Sequence, residues 1–176
     1  WEYTMHKRND SASTDVLISI HQEYAEAILR GEKLIEFRKA QFPNHVSRVY
    51  LYSTSPIKKI VGYFIVKNIL RASPRRLWNQ YGKKGAIGYN DFIEYYDDSD
   101  EACGILVEKA VRYLRPIDLK EIDQKNVPQS FCYLHQDMIE RLERETNEQK
   151  NAEIYSSLVA VIRHIQKLPR ILRTVS

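Results

Sequence analysis

Within the segment Gly31-Glu32-Lys33-Leu34-Ile35-Glu36-Phe37-Arg38 stand an amine, a carboxylate and a guanidinium. Ile35 and Phe37 alternate with Glu36 and Arg38, the period of a strand with one apolar and one charged face. Glu36 and Arg38 therefore point the same way, roughly 7 Å apart by the two-residue strand rise. Lys33 sits at the turn that leads into this strand, so the three charges can converge on one pocket. A lysine beside a carboxylate can move protons, and the set can also receive phosphate or the polar edge of a base. The ordinary alternative is a surface pair between Glu36 and Arg38 contributing about 0–1 kcal/mol beside a solvated lysine.

Other residues with usable chemistry are more scattered. Tyr50 and Tyr52 offer stacking surface, although tyrosines in strands as often simply pack. Ser53, Thr54 and Ser55, beside Pro56, put hydroxyls and backbone donors at a turn that could cradle a phosphate or only shape the chain. Gln129 and Ser130 follow Pro128 in a polar connection. Asp97, Asp98, Asp100 and Glu101 form an acidic run whose spacing fits no metal-ligand motif, so it reads as solvated loop. His21, His45, His135 and His164 fall on different elements, and no nucleophile-base pair follows from their spacing. Cys103 and Cys132 lack a CxxC partner and read as reduced structural thiols. No cofactor or metal is expected.

The elements that must hold these groups are legible from periodicity. Residues 1–14 have the polar composition of a linker or arm. Val16 to Ile20 reads as a buried strand, followed by a short helix from Glu23 to Arg30 that Gly31 stops in a left-handed conformation. After the Leu34 to Lys39 strand come Arg48 to Ser53 and Lys59 to Leu70, rich in Val, Ile and Tyr and joined as a hairpin. Pro74 can begin a helix, and Asn90 or Asp91 can cap another, making a helical insertion. Strand character returns from Gly104 to Tyr113, with Arg115-Pro116-Ile117 closing it. From Leu134 the pattern is helical in two segments, Leu134, Met138 and Leu142 on one stripe and Tyr155, Leu158, Ile162 and Ile165 on another. The second stripe is expected to cover the barrel in a monomer, or else to meet a partner or a second copy. Arg163, Lys167, Arg170 and Arg173 around Pro169 give the end a basic, solvated face.

The 176 residues suffice for one core with appendages. The formal net charge of +4 favours polyanions only weakly. With no run of eighteen apolar residues and no apolar stretch near the start, no membrane span or secretory signal is expected, and the reading is a cytoplasmic protein. A chain beginning at Trp1 is expected to be a processed product or part of a longer one.

The spacing Gly31, Lys33, Glu36, Arg38 after a strand and a short helix resembles the GxKxxExR motif of ASCH domains, a branch of the PUA-like superfamily. The resemblance extends to Tyr50-Leu51-Tyr52-Ser53-Thr54-Ser55-Pro56, Lys58-Lys59-Ile60-Val61-Gly62 and Pro128-Gln129-Ser130-Phe131, which are similar to a subgroup described as predicted transcriptional regulators. It covers about residues 15–133, with 134–176 as a helical appendage packed on the barrel. It implies an α+β fold with a small β-barrel of five to six strands flanked by helices. It also implies an RNA or nucleobase ligand, with DNA a possible one, bound by Lys33, Glu36, Arg38, Tyr52, Ser53, Thr54, Ser55, Gln129 and Ser130.

Some small ASCH proteins hydrolyse acylated cytidine nucleosides with a lysine, a threonine and a distant glutamate. Lys33 matches the lysine, but Glu36 stands where the threonine would be, and Glu94 and Glu108 both fit the glutamate by order. The expectation is therefore a binder. The alternatives are a hydrolase of acylated nucleosides or a ribonuclease using Lys33 and Glu36, and an interaction module built on the C-terminal helices.

Overall fold

The computed structural model describes residues 14–39, 42 and 45–167. Residues 1–13 of the arm expected over 1–14, and Pro169, Arg170 and Arg173 of the basic C-terminal run, lie outside them, while Thr14 opens the first strand. Six strands, β1 (Thr14–Ile20), β2 (Ile35–Arg38), β3 (Val46–Ser53), β4 (Lys59–Ala72), β5 (Ala102–Ile117) and β6 (Phe131–Tyr133), form one sheet in the order β2-β5-β4-β3-β1-β6. The sheet curls into a half-barrel, the α+β architecture that the motif implied. All pairings are antiparallel except β1 with β3, which run parallel and are reached through the helix α1 (Gln22–Leu29) and the β2 excursion.

Strand alternation divides the core. On β1 and β3, Val16, Ile18, Ile20, Val49 and Leu51 point to one side, where Ala25 and Ile28 of α1 and Phe64 of β4 complete a buried cluster. Leu17, Tyr50 and Tyr52 point to the other, and are covered by Leu119, Ile122, Leu134 and Leu142. A third cluster lies under the insertion formed by α2 (Pro74–Tyr81) and α3 (Tyr89–Tyr95), where Leu77, Phe92 and Tyr96 pack on Ile35 and Phe37 of β2. The apolar face of β2 is thus anchored, which leaves its charged face turned the opposite way.

Several local expectations need correction. Pro74 does open α2, but α3 is capped at Gly88, so Asn90 and Asp91 lie inside its first turn. β6 was not foreseen, because three residues give no readable alternation. The C-terminal pattern is not two segments but one 32-residue helix, α4 (Gln136–Lys167). Leu134 and Leu142 are buried at its start, whereas Tyr155, Leu158, Ile162 and Ile165 are exposed and cover nothing of the barrel.

Candidate functional site

α1 ends as the sequence dictates, with Gly31 at φ 76° in the left-handed region where a side chain would be strained. The backbone N–H groups of Glu32 and Lys33 then both donate to the Ala27 carbonyl, at 2.9 and 3.0 Å. This tight reversal carries Lys33 back under α1 instead of out to solvent, and its side chain is only 3% exposed. Its ammonium donates to the Gly85 carbonyl, lies 3.5 Å from Glu36 Oε2, and faces the rings of Tyr24 at 4.9 Å and Phe37 at 5.4 Å. Burial pushes the Lys33 pKa below the usual lysine value, with the Glu36 carboxylate working against that shift.

Glu36 is held from both sides, because Arg38 Nη1 stands 3.4 Å from its Oε1. The same Arg38 nitrogen donates to the Ser19 carbonyl at 3.1 Å, and Nη2 donates to the Ser130 carbonyl at 2.6 Å and to Ser130 Oγ at 3.2 Å. Arg38 is therefore spent on the protein's own oxygens and is not poised for a bidentate phosphate contact. Its reach also has a structural meaning. β2 and β6 are the two ends of the sheet order and do not pair with each other, so the guanidinium closes the half-barrel that backbone hydrogen bonds leave open.

Above this network lies a cavity of about 510 Å3 lined by Ser19, Ile20, His21, Tyr24, Lys33, Glu36, Phe37, Arg38, Thr54, Ile87, Asp91, Tyr95, Gln129 and Ser130. Of the residues singled out from sequence, Lys33, Glu36, Arg38, Thr54, Gln129 and Ser130 meet here. Tyr52 and Ser53 do not, and Tyr50 stays with them. The two tyrosines are 5% and 1% exposed in the second cluster, so neither is a stacking surface. Ser53 is buried with its hydroxyl unpartnered, and Ser55 is exposed in the turn without lining the cavity. Glu94 and Glu108 are both exposed and neither lines the cavity. Strand alternation explains the split: Thr54 follows β3 at its end, where the chain leaves the sheet beside Ile20.

The sequence reading missed His21, Tyr24, Asp91 and Tyr95 as cavity residues. Asp91 and Tyr95 are an i, i+4 pair on α3, next to the strip that carries the buried Phe92, which was a usable signal for a shared face. Tyr95 is held in place by the Lys39 backbone N–H, which donates to its hydroxyl at 3.2 Å, while the Lys39 ammonium pairs with Asp98. Asp98 of the acidic run thus lies against Lys39, just past the end of β2. Among the described residues, no group of three or more His, Cys, Asp or Glu side chains is arranged to hold a metal ion.

The loop opposite Lys33 is fitted closely. A Cβ on Gly85 would stand 2.3 Å from Cε2 of Phe37, so only glycine lets this backbone approach the strand and offer its carbonyl to the ammonium. Ala86 follows at φ 48°, a strained conformation just before Ile87, which lines the cavity.

Comparison with known proteins agrees with the motif. Residues 18–167 match the family model of the ASCH domain, reaching well into α4 and so beyond the boundary near residue 133. Large ribosomal subunit protein uL22 of Ureaplasma parvum is 31% identical over 134 residues, 76% of this chain and 43% of that protein. The chain thus spans less than half the length of that relative. An ASCH domain-containing ribonuclease of Zymomonas mobilis is 26% identical over 133 residues, 73% of this chain and 89% of that protein. The crystal structure of ASCH from Zymomonas mobilis superposes with a TM-score of 0.70 at 28% identity, covering 74% of this chain and 94% of that one.

Proposed function

Because the chain belongs to the ASCH domain family, we propose that it handles single-stranded RNA, taking one unstacked nucleotide into the cavity above Lys33 and Glu36. The observation that carries this reading is a cavity of about 510 Å3 with a buried lysine-carboxylate pair at its floor. That volume suits a nucleotide, while a duplex could not enter, and protein readers of RNA commonly splay bases out of single strands. Tyr24 and Tyr95 supply rings for a base to stack on. Glu36 can accept from an exocyclic amine, and Lys33 can donate to a base carbonyl or phosphate. Arg38 holds the pair in place.

Strand cleavage is a second reading, favoured by the lowered pKa of Lys33 and by the ribonuclease name of the Zymomonas relative. An amine whose proton is loosened by burial gives it up to a substrate more readily than a solvated lysine does. In the simplest route a 2′-hydroxyl loses its proton to Glu36 and attacks the adjacent phosphorus. The 5′-oxygen then leaves with a proton from Lys33, giving a 2′,3′-cyclic phosphate and a free 5′-hydroxyl. DNA lacks the attacking hydroxyl and would bind without being cut. Binding without turnover would instead fit a regulatory role.

The test is one panel of short single-stranded RNAs, matching DNAs and acylated nucleosides, read by fluorescence anisotropy and product mass, with Lys33→Met alongside. RNA binding that weakens with rising salt and falls at least tenfold in the variant is expected. Cyclic-phosphate products would add the cleavage reading. RNA affinity indifferent to Lys33→Met would remove the cavity from the function, and turnover of acylated nucleosides alone would replace RNA with a small substrate.

A further inference from the structure

α4 is about 48 Å long at 1.5 Å per residue, but it is fastened to the sheet only over its first half, as far as Gln149. Leu134 and Leu142 are buried there, and Arg115 bonds to Glu145 and exchanges two hydrogen bonds with Gln149. Among the described residues, these are the last side-chain hydrogen bonds and ion pairs between the helix and the sheet. Beyond them, Ile154, Tyr155, Leu158, Val161, Ile162 and Ile165 are 66, 70, 54, 55, 44 and 50% exposed. Tyr155, Leu158, Ile162 and Ile165 follow one another at spacings of three, four and three residues, with Ile154 and Val161 flanking them seven apart. That is the seam of a helix that pairs with another helix.

We propose that this stripe is the surface through which two copies of the chain associate, each α4 covering the stripe of the other. The six side chains leave on the order of 700 Å2 of apolar surface uncovered, more than the roughly 300–600 Å2 of the largest patch on an ordinary monomer. Pairing two stripes would bury on the order of 1,400 Å2 in total, above the ~1,000 Å2 that a specific interface needs. A two-fold axis lets one surface serve both copies, so no second, differently shaped patch is required. The opposite face, with Ser156, Ala160 and Arg163, stays in water when two stripes pair.

This association does not depend on what the cavity binds, and its test is separate. Sedimentation velocity on the full chain across about 1–100 μM should show a dimer whose share rises with concentration. The double variant Leu158→Glu/Ile162→Glu should sediment as a monomer throughout, with an unchanged far-ultraviolet circular dichroism spectrum. Both positions are exposed, so the fold should tolerate the change. A wild-type chain that stays monomeric at 100 μM, or a variant that still dimerises, overturns the proposal and assigns the stripe to another occupant.

Discussion

The Lys33 ammonium gives up water for one carbonyl, one carboxylate and two aromatic rings, and the exchange leaves its charged form disfavoured. The consequence for stability has a definite sign. Between the lowered folded value and the ordinary lysine value of 10.5, the unfolded chain holds a proton that the folded chain has released. Stability from this group therefore rises with pH across that window, and the burial penalty is complete below it. Tyr50, which burial pushes up to about 12, acts in the opposite direction above the usual tyrosine value of 10.0. The informative quantity is thus the wild-type stability minus that of Lys33→Met, from urea denaturation at several alkaline pH values. It should climb with pH, and a flat difference would mean the amine is not desolvated as the geometry requires.

At the scale of elements, the two ends of the sheet are joined by a side chain where they lack backbone pairing. Arg38 on β2 reaches the carbonyls of Ser19 at the end of β1 and of Ser130 just before β6. Replacing it with lysine keeps the charge but loses the planar fork, so only one of these oxygens can be served. Arg38→Lys should cost about 1–3 kcal/mol, the usual penalty for stranding buried acceptors that had a charged donor. Amide exchange should quicken around Gln129–Phe131, and substrate affinity should weaken because two cavity residues sit on that connection. Unchanged exchange there would show that the closure depends on other contacts.

For the whole molecule, the fold and the distal helix are separable. Residues beyond Asn151 contribute no described hydrogen bond or ion pair to the sheet, and all their described large apolar side chains but Val159 are exposed. Ending the chain after Asn151 should leave thermal stability of the dilute protein within about 0.5 kcal/mol, as for surface changes away from packed sites. Ligand affinity of the cavity should be preserved as well. A drop of several degrees in the melting temperature at low concentration would show that the distal helix supports the barrel after all.

Much of this was determined by sequence alone. The period of β2, with Ile35 and Phe37 against Glu36 and Arg38, fixed which side chains share a face, and Gly31 fixed where α1 stops. The motif from Gly31 to Arg38 was enough to place Lys33 and Glu36 together and to indicate the barrel. What it could not say is what else each charge faces, because the carbonyls that Arg38 and Lys33 donate to are 19 to 92 residues away along the chain. Hence Arg38, read as a ligand contact, lines the cavity but is also a closing tie, and Tyr52, read as a stacking ring, is core. His21, Tyr24, Asp91 and Tyr95 become neighbours only when α1 and α3 fold over the same end of the sheet. A periodic stripe such as Leu158, Ile162 and Ile165 announces that something covers it, but only the tertiary path of α4 shows that the barrel does not.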